Sequence, residues 1–367
     1  MSDWLCDSDM ATFDQTKFDL TPEKQASIPR FLRQQITAKP QVVTGPGANL
    51  RGKTAIVTGS NTGVGLENSR QLLDLGISKL ILAVRNLDKG NAAKQDLSQG
   101  RNWNDGDKTI EVWKLDHTDY DSVRSFATRA LNELARLDIV VLNVGIGPIT
   151  RSFNEHTGHD EVIQVNYLST ALLAMLLLPV FKKSQLATSA PGRLTIVSSE
   201  LAGVTKFKEA TSNPPPASIL AALDDKNTKV DMADRMMVSK LLQQFFVAKI
   251  AEVVPSSLVV INSVSPGSLY GTDFNRDRRG TLVGVVAAVV MRGIANSPPV
   301  GARIITDAAV NHGEETHGQF LSFQTVVPLA PIIYRPEGKQ ISEKLWQETL
   351  AEFKFTGVEE ILNSLAH

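Results

Sequence analysis

From Lys53 onward, short apolar runs alternate with longer stretches whose apolar positions recur every three to four residues. The pattern predicts strands at Thr54–Thr58, Lys79–Val84, Ile110–Leu115, Ile139–Leu142, Arg193–Val197 and Leu258–Val264. Between them it predicts helices at Val64–Leu75, Asp88–Gln99 and Ser122–Ala135, one long helix with its lead-in at Phe153–Val180, and one at Asp234–Val253. Gly76 is the expected C-cap of the first helix and Asp234 the expected N-cap of the last. These strands are apolar on both faces, as in a parallel sheet covered on each side, so the fold class is α/β. Residues 1–50 form a polar extension with an amphipathic piece at Pro29–Thr37, where Phe31, Leu32 and Ile36 fall on one helical face. Gln41–Leu50 reads as a linker around Gly45-Pro46-Gly47.

The chain has 367 residues, 42% hydrophobic and 21% charged, the composition of an ordinary globular protein. Lysine and arginine number 38 against 39 acidic residues, which gives no support to a nucleic-acid partner. Cys6 is the only cysteine, so no internal disulfide can form. The first residues lack the basic start and apolar stretch of a secretory signal. The longest apolar runs, Ala171–Val180 and Leu282–Met291, fall short of the ~20 residues that cross a bilayer. The expectation is a soluble, cytoplasmic protein with no membrane span. The histidines fit no zinc-ligand spacing, so no metal is expected.

The first strand runs straight into Gly59, Gly63 and Gly65 and then into a helix. Glycines at such a turn let the backbone approach a pyrophosphate, and the helix N-terminus offers free N–H groups and a positive dipole end. The second strand ends at Val84 and is followed by Arg85, with Asn86 and Lys89 nearby. An acidic residue there would suit ribose hydroxyls, whereas a cation suits a 2′-phosphate, so NADP(H) is the expected cofactor.

Thr58-Gly59-Ser60-Asn61-Thr62-Gly63-Val64-Gly65 resembles the nucleotide turn of the short-chain dehydrogenase/reductase (SDR) family. Leu115-Asp116 is similar to its adenine-side strand end, and Asn143-Val144-Gly145 to its Asn-Ala-Gly motif with valine for alanine. Asn166 and Ser199 match its active-site asparagine and serine, and Pro266-Gly267 follows the sixth strand as in the family. Thr272 stands one residue from the expected carboxamide contact. The resemblance covers roughly residues 50–330, and the stretches Phe31–Gln35 and Glu314–Gln319 resemble a fungal subgroup. It implies a Rossmann-type doubly wound parallel sheet over residues 51–335, with a helical tail at 336–367. It also implies contacts from Asn61, Thr62 and Val64 to the cofactor, and a possible homodimer through helices near 155–180 and 234–253.

The family's chemistry uses a tyrosine four residues before a lysine, on one helical face. Here the lysine is Lys240 and the residue four before it is Met236. The four tyrosines are Tyr120, Tyr167, Tyr270 and Tyr334, none of them on this helix. A thioether cannot protonate an alkoxide, and such acid help is typically worth ~10²–10⁴ in rate. Tyr270 and Glu200 are the candidate substitutes, while His117 is expected near the adenine end. Three readings stay open. Hydride transfer continues on an iminium, an enone or with a substitute acid; or the cavity has turned to non-redox chemistry such as cyclisation, isomerisation, dehydration or a pericyclic step; or the protein is an inactive cofactor-binding module. Insertions at 205–232, with its apolar segment Ile219–Leu223, and at 270–295 are expected as apolar lids over a bulky hydrophobic small molecule. Arg276, Arg278 and Arg279 form a charge run in the second.

Overall fold

The structure, a computed structural model, describes residues 18–44, 48–101, 108–271 and 293–365. Its centre is an eight-stranded sheet: β1 (Thr54–Thr58), β2 (Lys79–Val84), β3 (Thr109–Lys114), β4 (Ile139–Leu142), β5 (Gly192–Val197), β6 (Val259–Ser265), β7 (Phe320–Ser322) and β8 (Thr325–Val327). The spatial order is β3-β2-β1-β4-β5-β6-β7-β8, parallel throughout except for the antiparallel β7–β8 pair. The strand order reverses between β1 and β4, and in such sheets ligands bind outside the carboxyl ends of the strands at this point. Alternate residues of each strand feed two separate cores. Ile56, Val140 and Ile196 face one, and Ala55, Val57 and Val141 face the other.

The helices are α1 (Pro22–Gln25), α2 (Ile28–Thr37), α3 (Gly63–Asp74), α4 (Leu87–Ser98), α5 (Tyr120–Glu133), α6 (Glu161–Ile163), α7 (Ser169–Leu176), α8 (Leu178–Thr188), α9 (Lys208–Thr211), α10 (Ile219–Asp224), α11 (Met232–Val253), α12 (Pro298–Val310), α13 (Pro336–Glu352) and α14 (Val358–Asn363). The long helix expected at 153–180 is interrupted. A π-helical turn, Gln164–Leu168, separates α6 from α7, and Pro179 sits in the first turn of α8. The run Glu161–Thr188 has the length and hydropathy of a membrane-crossing helix, but 89% of its most apolar window is buried inside the protein, as in a core helix. The N-cap of α11 is Asp231, which accepts the Ala233 N–H at 2.9 Å, and Asp234 lies in the first turn rather than at the cap.

One further expectation is corrected. On α2 the inward pair is Phe31 and Gln35, one turn apart, whereas Leu32 and Ile36 are 42% and 66% exposed. The insertion at 205–232 packs on the body: Phe207, Ile219, Leu220 and Leu223 are buried in the larger core. The Glu348 carboxylate of α13 accepts both the Ile219 and Leu220 N–H groups and the Ser218 hydroxyl, holding the start of α10. His159 lies between Asp224 (2.6 Å) and Glu352 (3.0 Å); despite burial, these carboxylates raise its pKa to about 9 and keep it cationic at neutral pH. The C-terminal helices α13 and α14 pack on the body of the protein. Trp346 lies 6.2 Å from Phe246 of α11, the Tyr167 and Thr349 hydroxyls share a hydrogen bond, and Phe353 is fully buried. Helices α7 and α11 thus carry contacts from the chain's own C-terminal helices.

Candidate active site

One cavity of about 560 Å³ opens along the carboxyl ends of the strands. At its centre is the turn after β1. Gly59 and Gly63 have φ of +63° and +59°, a region that side-chain-bearing residues rarely adopt. A Cβ on Gly65 would stand 2.5 Å from the Gly59 carbonyl oxygen, so only glycine lets α3 pack this closely on β1. Asn143, at the end of β4, braces the same turn by donating its amide to the Thr58 carbonyl at 3.0 Å. Thr62 caps α3 without a side-chain hydrogen bond, so the first N–H groups of the helix face the cavity uncapped. This glycine cradle and open helix end fit a dinucleotide pyrophosphate.

Asn61, Thr62 and Val64 line the cavity beside the glycines, and Gly145 lines it after β4. Arg85 is exposed at the end of β2 and lines the same cavity with Asn86 and Lys89. The Asn86 side-chain oxygen is committed to capping α4, where it accepts the Lys89 N–H at 2.9 Å. Asp116 also lines the cavity and shapes the turn after β3 by accepting from the Thr118 hydroxyl at 2.8 Å. His117 borders it too, and burial holds its imidazole neutral, with a pKa lowered to about 4.

The reactive end is built by β5, α11 and β6. Ser199 follows β5 and caps a short 3-10 turn; its hydroxyl oxygen accepts the Leu201 N–H at 3.2 Å, which leaves the hydroxyl hydrogen available to a ligand. Lys240 lies on α11, and its Nζ donates to the Val197 carbonyl at 2.7 Å. Burial without a carboxylate beside it brings the Lys240 ammonium down to about 8. Met236, one helical turn earlier, lines the same cavity as Ser199 and Lys240. Arg235 beside it points elsewhere, between Asp160 (3.4 Å) and Glu209 (3.1 Å), and ties α11 to the 205–232 insertion. Pro266 and Gly267 line the cavity after β6.

Not every expected site residue lines it. Asn166 stands behind the wall, where its amide donates to Ser239 Oγ at 2.9 Å and Ile146 O at 3.0 Å, and its side-chain oxygen accepts the Ile146 N–H at 2.8 Å. It therefore braces the loop after β4 against the Lys240 helix. Tyr270 is not among the lining residues; its backbone N–H donates to Asn296 O at 3.2 Å. Tyr120, Tyr167 and Tyr334 lie in the larger core or against it, where burial raises each phenol's pKa. The Glu200 carboxyl turns away to accept from the Gln25 amide at 2.8 Å and does not line the cavity. Thr272 and Arg276, Arg278 and Arg279 lie outside the described residues. Sequence reasoning missed Phe31, Glu161, Leu201 and Leu269 as lining residues. For Phe31, its place in an amphipathic piece was the one available signal.

Comparison with known proteins gives a consistent picture. Residues 53–211 match the family model described as short chain dehydrogenase. The short-chain dehydrogenase fogG of Aspergillus ruber is 44% identical over 95% of this chain and 98% of its own length. The short chain dehydrogenase/reductase mfmJ of Annulohypoxylon moriforme is 41% identical over 92% of this chain and 94% of its own. Among solved structures, the RhlG/NADP complex of Pseudomonas aeruginosa superposes with a TM-score of 0.55 at 18% identity, over 77% of this chain and all of that one. The hydroxysteroid dehydrogenase of Escherichia coli gives 0.53 at 17% identity, over 76% and 97%. Both share the fold. On its glycine turn, its strand order and its fungal relatives, this chain belongs to the short-chain dehydrogenase/reductase family.

Proposed function

We propose that this protein is an NADP(H)-dependent oxidoreductase acting on a bulky, hydrophobic, activated acceptor in specialised metabolism. The observation that carries the reading is the company around Lys240. Met236 and Ser199 share its cavity, and no phenol lines that cavity among the described residues. Arg85 beside Asn86 and Lys89 supports a 2′-phosphate on the cofactor. Bound NADPH would supply a hydride to an electrophilic carbon. The Ser199 hydroxyl would donate a hydrogen bond to the acceptor's heteroatom. Lys240 carries the remaining exchangeable proton at the reactive end, on Nζ, and a pKa of about 8 is matched to proton donation near neutrality. The Met236 thioether offers an apolar wall and no proton. Acceptors that develop little negative charge, such as an iminium or a conjugated enone, are therefore favoured over a simple ketone. The body of this enzyme is residues 51–335, with 1–50 as an N-terminal extension and 336–367 as a helical C-terminal segment, in a cytoplasmic setting.

The test is Met236→Tyr. NADPH oxidation is followed with an activated quinone, an enone, an imine and tetralone, a plain aromatic ketone. Wild-type protein is expected to turn over activated acceptors and to be nearly inert towards tetralone. The variant should gain on tetralone by ~10²–10⁴, the usual worth of a positioned acid. Equal tetralone rates in both proteins count against the reading. Product formed without NADPH oxidation assigns non-redox chemistry instead, and cofactor binding without any conversion assigns a binding module.

A further inference from the structure

The described N-terminal segment is tied down at several points, among them Gln41 to Gln324 and Pro40 to Arg303, and two of its anchors land on loops that build the reactive end of the cavity. At the first, the Gln25 amide donates to the Glu200 carboxyl at 2.8 Å, next to Ser199, and Gln25 Oε1 accepts from Arg30 Nε at 3.2 Å. Both Gln25 and Glu200 are buried. Ala26 packs so closely on Gly203 that a Cβ there would stand 2.7 Å from the alanine methyl. At the second, Gln35 pairs with the backbone of Ser268 in both directions. Its Nε2 donates to the Ser268 carbonyl at 3.2 Å, and its Oε1 accepts the Ser268 N–H at 2.8 Å. The Ser268 carbonyl accepts a second bond, from the Asn296 N–H at 2.9 Å. A Cβ on Gly267 would stand 2.7 Å from Gln35 Oε1, and Gly267 itself has φ of +74°. Phe31 lies between these anchors, is 9% exposed and lines the cavity.

We infer that residues 22–37 form a wall of the active site. Phe31 is its specificity-determining residue, selecting flat aromatic acceptors, and Gln35 positions the Gly267–Ser268 backbone against the cofactor. A buried two-way amide pair is a rigid mount, and an element that merely covered the surface would need no such pair on a loop of the site. Phe31 shares the lining of this cavity with the apolar Leu201, Met236 and Leu269 and with the polar Ser199 and Lys240. Aromatic faces favour offset or edge contacts with another ring, so an extended planar acceptor gains more here than a small aliphatic one. This inference rests on the oxidoreductase reading for its kinetic arm only.

The test uses the full chain with Phe31→Ala, Phe31→Leu and Gln35→Ala, and the probes NADPH, phenanthrenequinone (three fused rings) and butanedione (small and aliphatic). NADPH affinity is read by the fluorescence of the bound dihydronicotinamide. Quinone affinity for the NADP⁺ complex is read by calorimetry, with no turnover needed. Both Phe31 variants should weaken phenanthrenequinone binding and raise its KM about tenfold, while the KM for butanedione and the NADPH affinity move less than about twofold. Gln35→Ala should lower kcat for both diketones several-fold and weaken NADPH binding, with little change in the ratio of their KM values. Unchanged quinone binding in both Phe31 variants overturns the specificity role, as does failure of phenanthrenequinone to bind wild-type protein. Gln35→Ala leaving kcat and NADPH affinity intact overturns the positioning role. If the quinone binds in a Phe31-dependent way but NADPH is never oxidised, the wall stands and the oxidoreductase reading fails.

Discussion

Replacing Lys240 with methionine should leave the cofactor-free protein at least as stable as the wild type at neutral pH. The side chain is buried, its Nζ has the Val197 carbonyl at 2.7 Å, and burial alone moves its pKa from 10.5 to about 8. Below about pH 8 the lysine is protonated both folded and unfolded, and the folded state carries the full cost of a buried ammonium. Between about 8 and 10.5 the unfolded chain binds more protons, so stability rises with pH; above 10.5 the cost has gone. At about 1.4 kcal/mol per pH unit, that gap makes the cost at pH 7 on the order of 3 kcal/mol. Methionine removes the cost but leaves the Val197 carbonyl without its donor, a loss of roughly 1.5–3 kcal/mol. The net gain at pH 7 is therefore about 1 kcal/mol. The sharper quantity is the difference between the two proteins, in which all shared titrations cancel. It should shift towards the wild type by roughly 1.4 kcal/mol per pH unit from about pH 8 to about pH 10. Urea unfolding of both proteins across that range measures it. A difference that does not change with pH, or that moves towards the variant, refutes the reasoning. A residue kept at such a cost is expected to serve ligand binding or chemistry rather than the fold.

Two further outcomes follow from the geometry. On the proposed NADP(H) reading, Arg85→Asp should shift the ratio of NADPH to NADH affinity towards NADH by about tenfold to a hundredfold, because a cation suited to a 2′-phosphate becomes an anion. Fluorescence titration with each dinucleotide measures this, and an unchanged ratio removes Arg85 from the cofactor site. Sedimentation should show one species near the chain mass of 39.9 kDa, since α13 and α14 pack on α11 and α7. A dimer whose interface is mapped to those helices would contradict this expectation.

Strands β1, β2 and β4 are legible because a parallel strand buried on both faces is apolar at nearly every position, whereas the edge strand β3 alternates in exposure and β6 carries buried Asn262, Ser263 and Ser265. Strands β7 and β8 are three residues each, too short to carry a pattern. The glycine turn is legible because backbone geometry itself demands glycine at Gly59 and Gly65. Apolar periodicity names an amphipathic face but not its neighbour. The run Ile219–Leu223 reads the same whether it covers a ligand or a core, and here α13 takes it. On α2 the signal is right for Phe31 and misleads for Leu32 and Ile36, because Gln35, which binds backbone, shares the inward side with Phe31. Asn166 matches a family position in the sequence, but its place behind the wall depends on the π-turn, which no local pattern announces.

Two anchors of α1 and α2 join residues 175 and 233 positions apart. On the ribosome, Gln35 emerges long before Ser268 exists. At about 5–20 residues per second it waits on the order of ten seconds or more for its partner. Half of its helix is apolar (Ile28, Pro29, Phe31, Leu32 and Ile36), so the nascent segment carries hydrophobic surface meanwhile. The pocket is thus completed late, and variants that slow the pairing of β5 with β6 would lengthen the interval in which this segment lies open to proteases.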